Sequence, residues 1–374
     1  MSRLDGARST ISMWHQGDYS THTQGAKDAI DNARDLACGA IAEMNIASTG
    51  APFHIADYGA ADGGTSMDLH RATIAALRER APSRTVCVTY TDLPRNDYSA
   101  LFTTANGGRP GVTSYRDEHD DIFVYAAATS FFAPIFPPDT VDFGFSATAM
   151  HWLSALPCPV SDHIHMVGAH GEELEVLRAR ARTDWQDILL ARAAELKPGG
   201  RLMTVNLALG DDGRHMGNTG GANMFDVMNR LWRALVDDGT ITATEYRRTT
   251  IPQFYRSPAE FHAPLLDPDG PVHRAGLRLV HAETRFTRCP YAARFAEDSD
   301  AGRFAATYVP NTRTWSETVF VNALDADRPL AQRRAIVDRY FESFADLVRA
   351  DPGPHAMDYI HQCMVMEKVR PRNG

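Results

Sequence analysis

The sequence predicts an α/β fold in which a mostly parallel sheet is flanked by helices. Short apolar strands alternate with helical segments, and their continuous apolar character is typical of parallel strands buried on both faces. A glycine-rich loop directly follows the first predicted strand. With 374 residues the chain exceeds the usual size of a single core, so we expect one large domain with an appended cap.

The predicted elements follow from hydrophobic spacing. Apolar residues from Ala26 to Met44 recur at three- and four-residue intervals, which predicts an amphipathic helix before the first strand. Strands are predicted at Phe53 to Tyr58, Thr85 to Thr91, Ile122 to Ala126, Val141 to Phe145 and Arg201 to Leu207. Helices are predicted from Thr65 to about Arg80, Asp184 to Leu196, Met224 to Val236 and Pro329 to Val348, with a Pro-containing loop from Pro252 to Pro264.

The run Ile55-A-D-Y-G-A-A-D-G-G-T-Ser66 predicts a ligand-binding crevice. Its glycines allow a sharp turn and close approach to a ligand, and the following helix offers unpaired N–H groups. The spacing is not the G-x-G-x-x-G of dinucleotide folds, and the next acid at a strand end is Asp92. This pattern fits an S-adenosylmethionine site better, with Asp57 near the amino acid end and Asp92 accepting hydrogen bonds from the ribose hydroxyls.

Four further segments carry a family resemblance. They are Thr91-D-L-P-R-N-D-Tyr98, Ser130-Phe131 within A-A-T-S-F-F, Phe145-S-A-T-A-M-H-W-L-Ser154, and Thr250-I-P-Q-F-Y-R-S-Pro258. From about Tyr19 to about Lys368 the chain resembles the SABATH family of plant and bacterial methyltransferases, which methylate small carboxylic acids and, in one branch, ring nitrogens. The resemblance implies a Rossmann-like class I methyltransferase fold with a mostly helical cap.

The resemblance also implies a domain organisation and a cofactor. Residues 1–24 would form an N-terminal lid, residues 25–207 the core, completed by about 276–289 and 355–370, and residues 208–275 and 290–350 the cap. The cofactor would be S-adenosylmethionine, with S-adenosylhomocysteine as product. The residues expected to bind it are Tyr19, Thr23, Asp57, Gly59, Asp62, Asp92, Leu93, Ser130 and Phe131.

The chemistry expected is displacement at the cofactor methyl group by a substrate carboxylate. Such a carboxylate is ionised at neutral pH, so the site needs positioning groups rather than a general base. By resemblance, Trp152 would hold one carboxylate oxygen through its indole N–H, with His151 beside it. The family's carboxylate-binding glutamine aligns with Ala26, and the nearby Gln24 is the candidate to replace it.

Phe225 and Phe254 stand where the family often has tryptophan and tyrosine. Both replacements remove hydrogen-bonding groups and predict an apolar pocket wall, which favours an aromatic or aliphatic acid. Two alternatives stay open: an N-methyltransferase acting on a heteroaromatic ring, and a non-catalytic protein that keeps the cofactor-binding fold.

Composition narrows the partners that we expect. A net charge of −9, without a basic stripe, argues against a nucleic-acid partner. We expect no metal, since the five cysteines are scattered and His163, His165 and His170 lack further ligands at metal-binding spacing. No apolar run approaches the ~20 residues of a membrane span. The chain is expected to be cytoplasmic, with a small-molecule acid as substrate, and a homodimer stays open.

Overall fold

The computed structural model describes residues 18–46 and 50–370. A seven-stranded sheet forms its centre, and the order of the strands across the sheet is β3-β2-β1-β4-β5-β7-β6. The strands are β1 (Phe53–Tyr58), β2 (Val86–Asp92), β3 (Ile122–Ala128), β4 (Val141–Ala147), β5 (Leu196–Leu207), β6 (Leu277–Thr287) and β7 (Tyr359–Lys368). Each strand predicted from the sequence overlaps one of these.

The predicted mostly parallel sheet is confirmed. Strands β1 to β5 pair in parallel, whereas β7 runs antiparallel to both β5 and β6. The chain order reverses between β1 and β4, which lie side by side in the sheet. In open α/β sheets, such a reversal opens a crevice beyond the carboxyl ends of the strands, where ligands bind.

Thirteen α-helices are present in the described residues. They are α1 (Asp18–His22), α2 (Gln24–Asp31), α3 (Arg34–Glu43), α4 (Met67–Arg80), α5 (Tyr98–Ala105), α6 (Gly171–Glu195), α7 (Met224–Asp237), α8 (Ala243–Arg248), α9 (Pro258–Leu266), α10 (Pro271–Arg274), α11 (Pro290–Asp298), α12 (Ala301–Ala323) and α13 (Leu330–Ala350). None of the helices in this part of the chain combines the length and apolar content that crossing a bilayer would require.

Three clusters of buried side chains hold these elements together. Ile41 of α3 and Leu77 of α4 pack with Phe143 on one face of the sheet. On the other face, Trp185 of α6 meets Phe261 of α9, and their ring centroids lie 5.3 Å apart. A third cluster joins α7, α12 and α13 through residues that include Trp232, Phe320, Tyr340, Phe341 and Phe344. The third cluster forms the helical layer beside the ends of the strands.

Several sequence predictions differ from the observed structure. The predicted helix from Ala26 to Met44 is divided by a turn at Asn32 and Ala33, where the backbone of Ala33 leaves the helical conformation and the Asn32 carbonyl accepts a hydrogen bond from Arg285 of β6. The predicted loop from Pro252 to Pro264 contains the start of α9, which Ser257 and Glu260 cap reciprocally. Helices α9 and α10, assigned to the cap by sequence, pack on the sheet face instead, because their apolar side chains meet α6 and β6.

A buried ion pair links this framework to the crevice. The carboxylate of Glu195 accepts hydrogen bonds from the Arg192 guanidinium, and both side chains are fully buried. Glu195 also accepts from the Tyr58 hydroxyl at 2.8 Å and from the Ile135 backbone N–H at 2.5 Å. Arg192 in turn donates to the carbonyl of Phe131 at 2.8 Å. The pair therefore fixes the end of β1 and the segment after β3 relative to each other.

We predict that Glu195→Leu lowers the free energy of unfolding by about 3–5 kcal/mol, because it leaves the Arg192 guanidinium buried without its counter-charge. Urea denaturation measures the change, with Glu342→Leu on the exposed face of α13 as control. Adding Arg192→Met to the first variant should recover part of the loss. A change below about 1 kcal/mol in Glu195→Leu would contradict this role for the pair.

Candidate active site

A cavity of about 910 Å³ opens at the carboxyl ends of the parallel strands. The residues that line it follow four strands in turn: Gly59 follows β1, Asp92 ends β2, Ser130 follows β3, and Thr148 follows β4. This is the position that the reversal of strand order predicts for a ligand. We call this space the strand-end cavity.

The glycine loop forms one wall of the strand-end cavity. Gly59 has a φ of +82°, and a Cβ on it would lie 2.6 Å from the Cβ of Ala149, so a larger side chain would be both strained and obstructed. The loop is held from the next strand, since Asp92 accepts a hydrogen bond from the Ala61 N–H at 2.8 Å and Asn96 donates to the Ala61 carbonyl at 2.7 Å. The two sequence motifs therefore form one structural unit.

Asp92 presents its carboxylate to the strand-end cavity. One oxygen accepts the Ala61 N–H and the other accepts the Leu93 N–H at 2.7 Å, which leaves lone pairs on both oxygens for a ligand. Burial raises the pKa of Asp92 to about 6, although the two backbone N–H groups act in the opposite direction. A diol donating to both oxygens fits this geometry. The residues present thus fit the ribose of S-adenosylmethionine.

The other predicted acids lie behind the cavity wall rather than on it. Asp57 is buried and accepts hydrogen bonds from the Ser66 hydroxyl at 2.6 Å and from the His70 ring at 2.8 Å. Asp62 accepts from the backbone and hydroxyl of Ser20 and pairs with Arg109 at 2.8 Å. The structure therefore brings neither carboxylate to the cavity surface. Asp57 instead holds the glycine loop to the start of α4, and Asp62 holds it to α1.

Four of the other predicted cofactor residues do line the strand-end cavity: Leu93, Ser130, Phe131 and Tyr19. Phe131 is fixed through its carbonyl by Arg192, and its ring lies 4.7 Å from that of Phe132. These side chains give the cavity an aromatic and apolar wall beside Asp92. Such a wall suits a planar purine ring.

The predicted lid is described from α1 onward, and residues 1–17 lie outside the described part. Tyr19 lines the strand-end cavity, and burial raises the pKa of its phenol. Thr23 donates its hydroxyl proton to the Tyr19 carbonyl at 2.7 Å. Gln24 lies elsewhere: its amide donates to Asp28 at 2.7 Å, and its side chain borders a separate surface hollow.

A second cavity of about 390 Å³ adjoins the first. Tyr19, Thr148 and Trp152 line both spaces. The second space is bounded mainly by apolar and aromatic groups, so we call it the acceptor cavity. Its remaining lining residues are Thr23, Ala26, His151, Leu207, Met216, Gln253, Asn311, Trp315 and Tyr359.

Trp152 stands at the boundary between the two cavities. Its side chain is 8% exposed, and none of the described residues accepts a hydrogen bond from its indole N–H. His151 lines the acceptor cavity as well, with its ring centroid 5.6 Å from that of Trp152. On an extended segment the side chains of two adjacent residues would point to opposite sides. The backbone turns here instead, because the Trp152 N–H donates a hydrogen bond to the Ala149 carbonyl.

The histidine rings at and beside the acceptor cavity are uncharged near neutral pH. Burial, with smaller contributions from His361 and Arg256, lowers the pKa of His151 to about 3, so its imidazole is neutral at physiological pH. Burial likewise lowers the pKa of the neighbouring His361 to about 3. Neither ring can therefore act as a cation toward an acid or as an effective base near neutral pH.

The two predicted pocket phenylalanines separate in the structure. Phe225 stacks on His165 with ring centroids 3.8 Å apart and lies 6.2 Å from Trp315, so it supports the acceptor cavity from behind. Phe254 lines a different hollow beside Trp185 and Arg178. The reason is the extended backbone, which points adjacent side chains to opposite sides and turns Gln253 inward.

Several lining residues were not singled out by sequence. Gln253 lies inside the Thr250–Pro258 motif, and its position next to Phe254 was the signal that could have found it. Asn311 and Trp315 come from α12, where no motif marks them. Within the described residues, no group of three or more His, Cys, Asp or Glu side chains is arranged to hold a metal ion.

Comparison with known proteins gives relatives of one kind. The chain is 24% identical over 249 residues to "Methyltransferase LUC1" of Fusarium sp, covering 66% of this chain and 64% of that one. It is 26% identical over 242 residues to "Indole-3-acetate O-methyltransferase 1" of Arabidopsis thaliana, covering 58% and 61%. The matched segments thus span less than two thirds of either relative.

The fold has a close structural counterpart. A solved structure of loganic acid methyltransferase with S-adenosylhomocysteine superposes with a TM-score of 0.77 and covers 97% of this chain and 100% of the other, at 18% identity. At that identity the likeness establishes the fold. A family model described as "SAM dependent carboxyl methyltransferase" matches residues 14–323. The chain therefore belongs to the family of S-adenosylmethionine-dependent carboxyl methyltransferases.

Proposed function

We propose that this protein is an O-methyltransferase that converts the carboxyl group of a small, largely apolar acid into its methyl ester. The observation that carries the proposal is the position of Trp152, which lines both the strand-end and the acceptor cavities and whose indole N–H has no acceptor among the described residues. Two relatives bear the names of indole-3-acetate and loganic acid, which is consistent with an acid as acceptor.

The strand-end cavity would hold the cofactor through residues already described. Asp92 would accept both ribose hydroxyls, the loop at Gly59 would allow close approach, and Ser130 with Phe131 would border the adenine. Bound there, S-adenosylmethionine supplies an electrophilic methyl group. The remaining task of the protein is to orient the acid and exclude water, which can contribute on the order of 7 kcal/mol or more.

The acceptor cavity meets that requirement without a base. A carboxylate has a pKa near ~4 and is ionised at neutral pH, so no proton has to be removed before attack. Trp152 would hold one oxygen and leave the other directed at the methyl group. Ala26, Leu207 and Met216 provide an apolar surface for the body of the acid.

The alternative of methyl transfer to a ring nitrogen is less well supported by the geometry. A nitrogen that carries a proton must lose it, and His151 is the imidazole that reaches the cavity. With a pKa lowered to about 3 by burial, this ring is too weak a base for that step near neutral pH. Methyl transfer to a carboxylate needs no deprotonation of the acceptor.

Cofactor affinity should depend on the ionisation of Asp92. The ribose hydroxyls donate to the ionised carboxylate, and burial raises the pKa of this group to about 6, so affinity should fall as the pH drops through about 6. Asp92→Asn should bind about tenfold more weakly at high pH and lose the dependence. Calorimetric titration of S-adenosylhomocysteine measures both, with the exposed Asp211→Asn as control. Wild-type affinity in Asp92→Asn would refute the assignment.

The acceptor atom can be identified from the product and the pH profile. With saturating cofactor, kcat for a carboxylate acceptor should be flat from about pH 7 to 9, because the acid stays ionised and His151 stays neutral. Mass spectrometry should detect a methyl ester. An N-methyl product, with a rate that climbs with pH, would establish the alternative function instead.

Trp152→Phe tests the group at the boundary. The variant keeps an aromatic wall but removes the indole N–H, so kcat/KM for the acid should fall about tenfold or more, while the Kd for the cofactor stays within about a factor of two. Steady-state kinetics and direct titration of S-adenosylhomocysteine give the two values. A loss of cofactor affinity as large as the loss of kcat/KM would place Trp152 in the cofactor site.

A further inference from the structure

We propose that Gln253 is the second hydrogen-bond donor to the substrate carboxylate, acting beside Trp152. The inference deepens the proposed function and rests on it. The carboxylate would then be bound by two residues from distant parts of the chain: Trp152 follows β4, and Gln253 follows α8.

The backbone brings the two side chains together. Trp152 and Gln253 form an isolated antiparallel bridge. The hydrogen bonds belong to the flanking residues, from the Leu153 N–H to the Pro252 carbonyl at 2.8 Å and from the Phe254 N–H to the His151 carbonyl at 2.9 Å. Trp152 and Gln253 are therefore a non-hydrogen-bonded pair, in which opposite side chains are closest and lie on the same side. Both line the acceptor cavity.

The amide of Gln253 is oriented by Tyr255. The Tyr255 hydroxyl lies 3.0 Å from Oε1 of Gln253. Burial raises the pKa of Tyr255 well above its usual range, so the phenol keeps its proton and donates it to Oε1. The amide also faces the ring of His165, and because this contact acts to raise the pKa of His165, it involves the accepting oxygen Oε1. None of the hydrogen bonds in the described residues engages the other end of the amide, Nε2 with its two hydrogens. Gln253 is only 2% exposed, so this unpaired donor is held at the cavity.

Asn311 is the other amide among the residues that line the acceptor cavity, and its NH₂ group is already engaged. Gln24 donates to Asp28 away from the cavity, and Ala26 contributes only a methyl group. The Nδ2 of Asn311 donates to the Tyr359 hydroxyl at 3.5 Å. An incoming carboxylate would accept hydrogen bonds from both Nε2 of Gln253 and the indole N–H of Trp152, and the oxygen that faces the methyl group would keep a lone pair for attack.

The test exploits the charge of the ligand. Two variants are made: Gln253→Glu, which keeps the size and the acceptor for Tyr255 but adds a negative charge, and Gln253→Leu, which removes the donor. Gln332→Glu makes the same charge change on the exposed face of α13 and serves as control. The probes are the acid that wild-type protein esterifies fastest, from a panel spanning benzoate, indole-3-acetate and octanoate, and the primary carboxamide of that acid.

Calorimetry on protein saturated with S-adenosylhomocysteine should show wild type binding the acid more tightly than the carboxamide. Gln253→Glu should reverse this order, with acid affinity reduced about a hundredfold by like-charge repulsion while the carboxamide donates to the new carboxylate. Gln253→Leu should raise KM about tenfold with kcat within about threefold, and both variants should keep wild-type cofactor affinity.

The outcomes separate the two proposals. Loss of structure alone would not reverse the preference between acid and carboxamide. Wild-type acid affinity in Gln253→Glu and Gln253→Leu, with ester formation intact in wild type, would overturn the role of Gln253 and leave the proposed function standing. A wild-type protein that esterifies no acid of the panel would overturn the proposed function itself, and the role of Gln253 with it.

Discussion

The buried carboxylate of Glu195 is the constraint on which the site geometry depends. A single charged group receives hydrogen bonds from the Arg192 guanidinium, the Tyr58 hydroxyl and the Ile135 N–H. A buried charge is tolerated only with such complete pairing, so the three partners have little freedom to move independently. Because they belong to α6, β1 and the segment after β3, the two sides of the strand-end cavity are held at a fixed separation.

Charge is distributed unevenly around the site, and this suits the chemistry. On the cofactor side, acids organise the backbone: Asp57 holds Ser66 and His70, and Asp62 holds Ser20 and Arg109. On the acceptor side, burial lowers the pKa of His151 so that its ring is neutral, and the donors that we propose are the indole of Trp152 and the amide of Gln253. In an enclosed apolar space, neutral donors stabilise an anion without the desolvation cost that a buried cation would add.

The fold and the strand-end cavity were largely predictable from sequence, because both depend on local patterns. Parallel strands buried on both faces read as continuous apolar runs, and the loop at Gly59 and the acid at Asp92 stand directly at strand ends. Trp152 was singled out through a segment that resembles a family motif, and it lines both cavities.

The rest depended on long-range packing or on the direction of a single residue. Asn311 and Trp315 reach the acceptor cavity only because α12 packs beside it, which no local pattern indicates. Phe254 was expected in the pocket wall, but Gln253 lines the acceptor cavity in its place. One step along an extended segment reverses the direction of a side chain. The first predicted helix divides at Asn32, whose carbonyl is contacted by Arg285, more than two hundred residues away in sequence.

Three residues, Tyr19, Thr148 and Trp152, line both cavities, so a ligand in one cavity would contact side chains that also face the other. A ligand that orders these side chains in one cavity reduces the entropy that the second ligand must remove. Such coupling is reciprocal by thermodynamic necessity: whatever factor the cofactor adds to the affinity for the acid, the acid adds to the affinity for the cofactor. Under the proposed function, conversion of the acid to its ester would therefore weaken the hold on the spent cofactor, so the contacts that assemble the complex would also favour turnover.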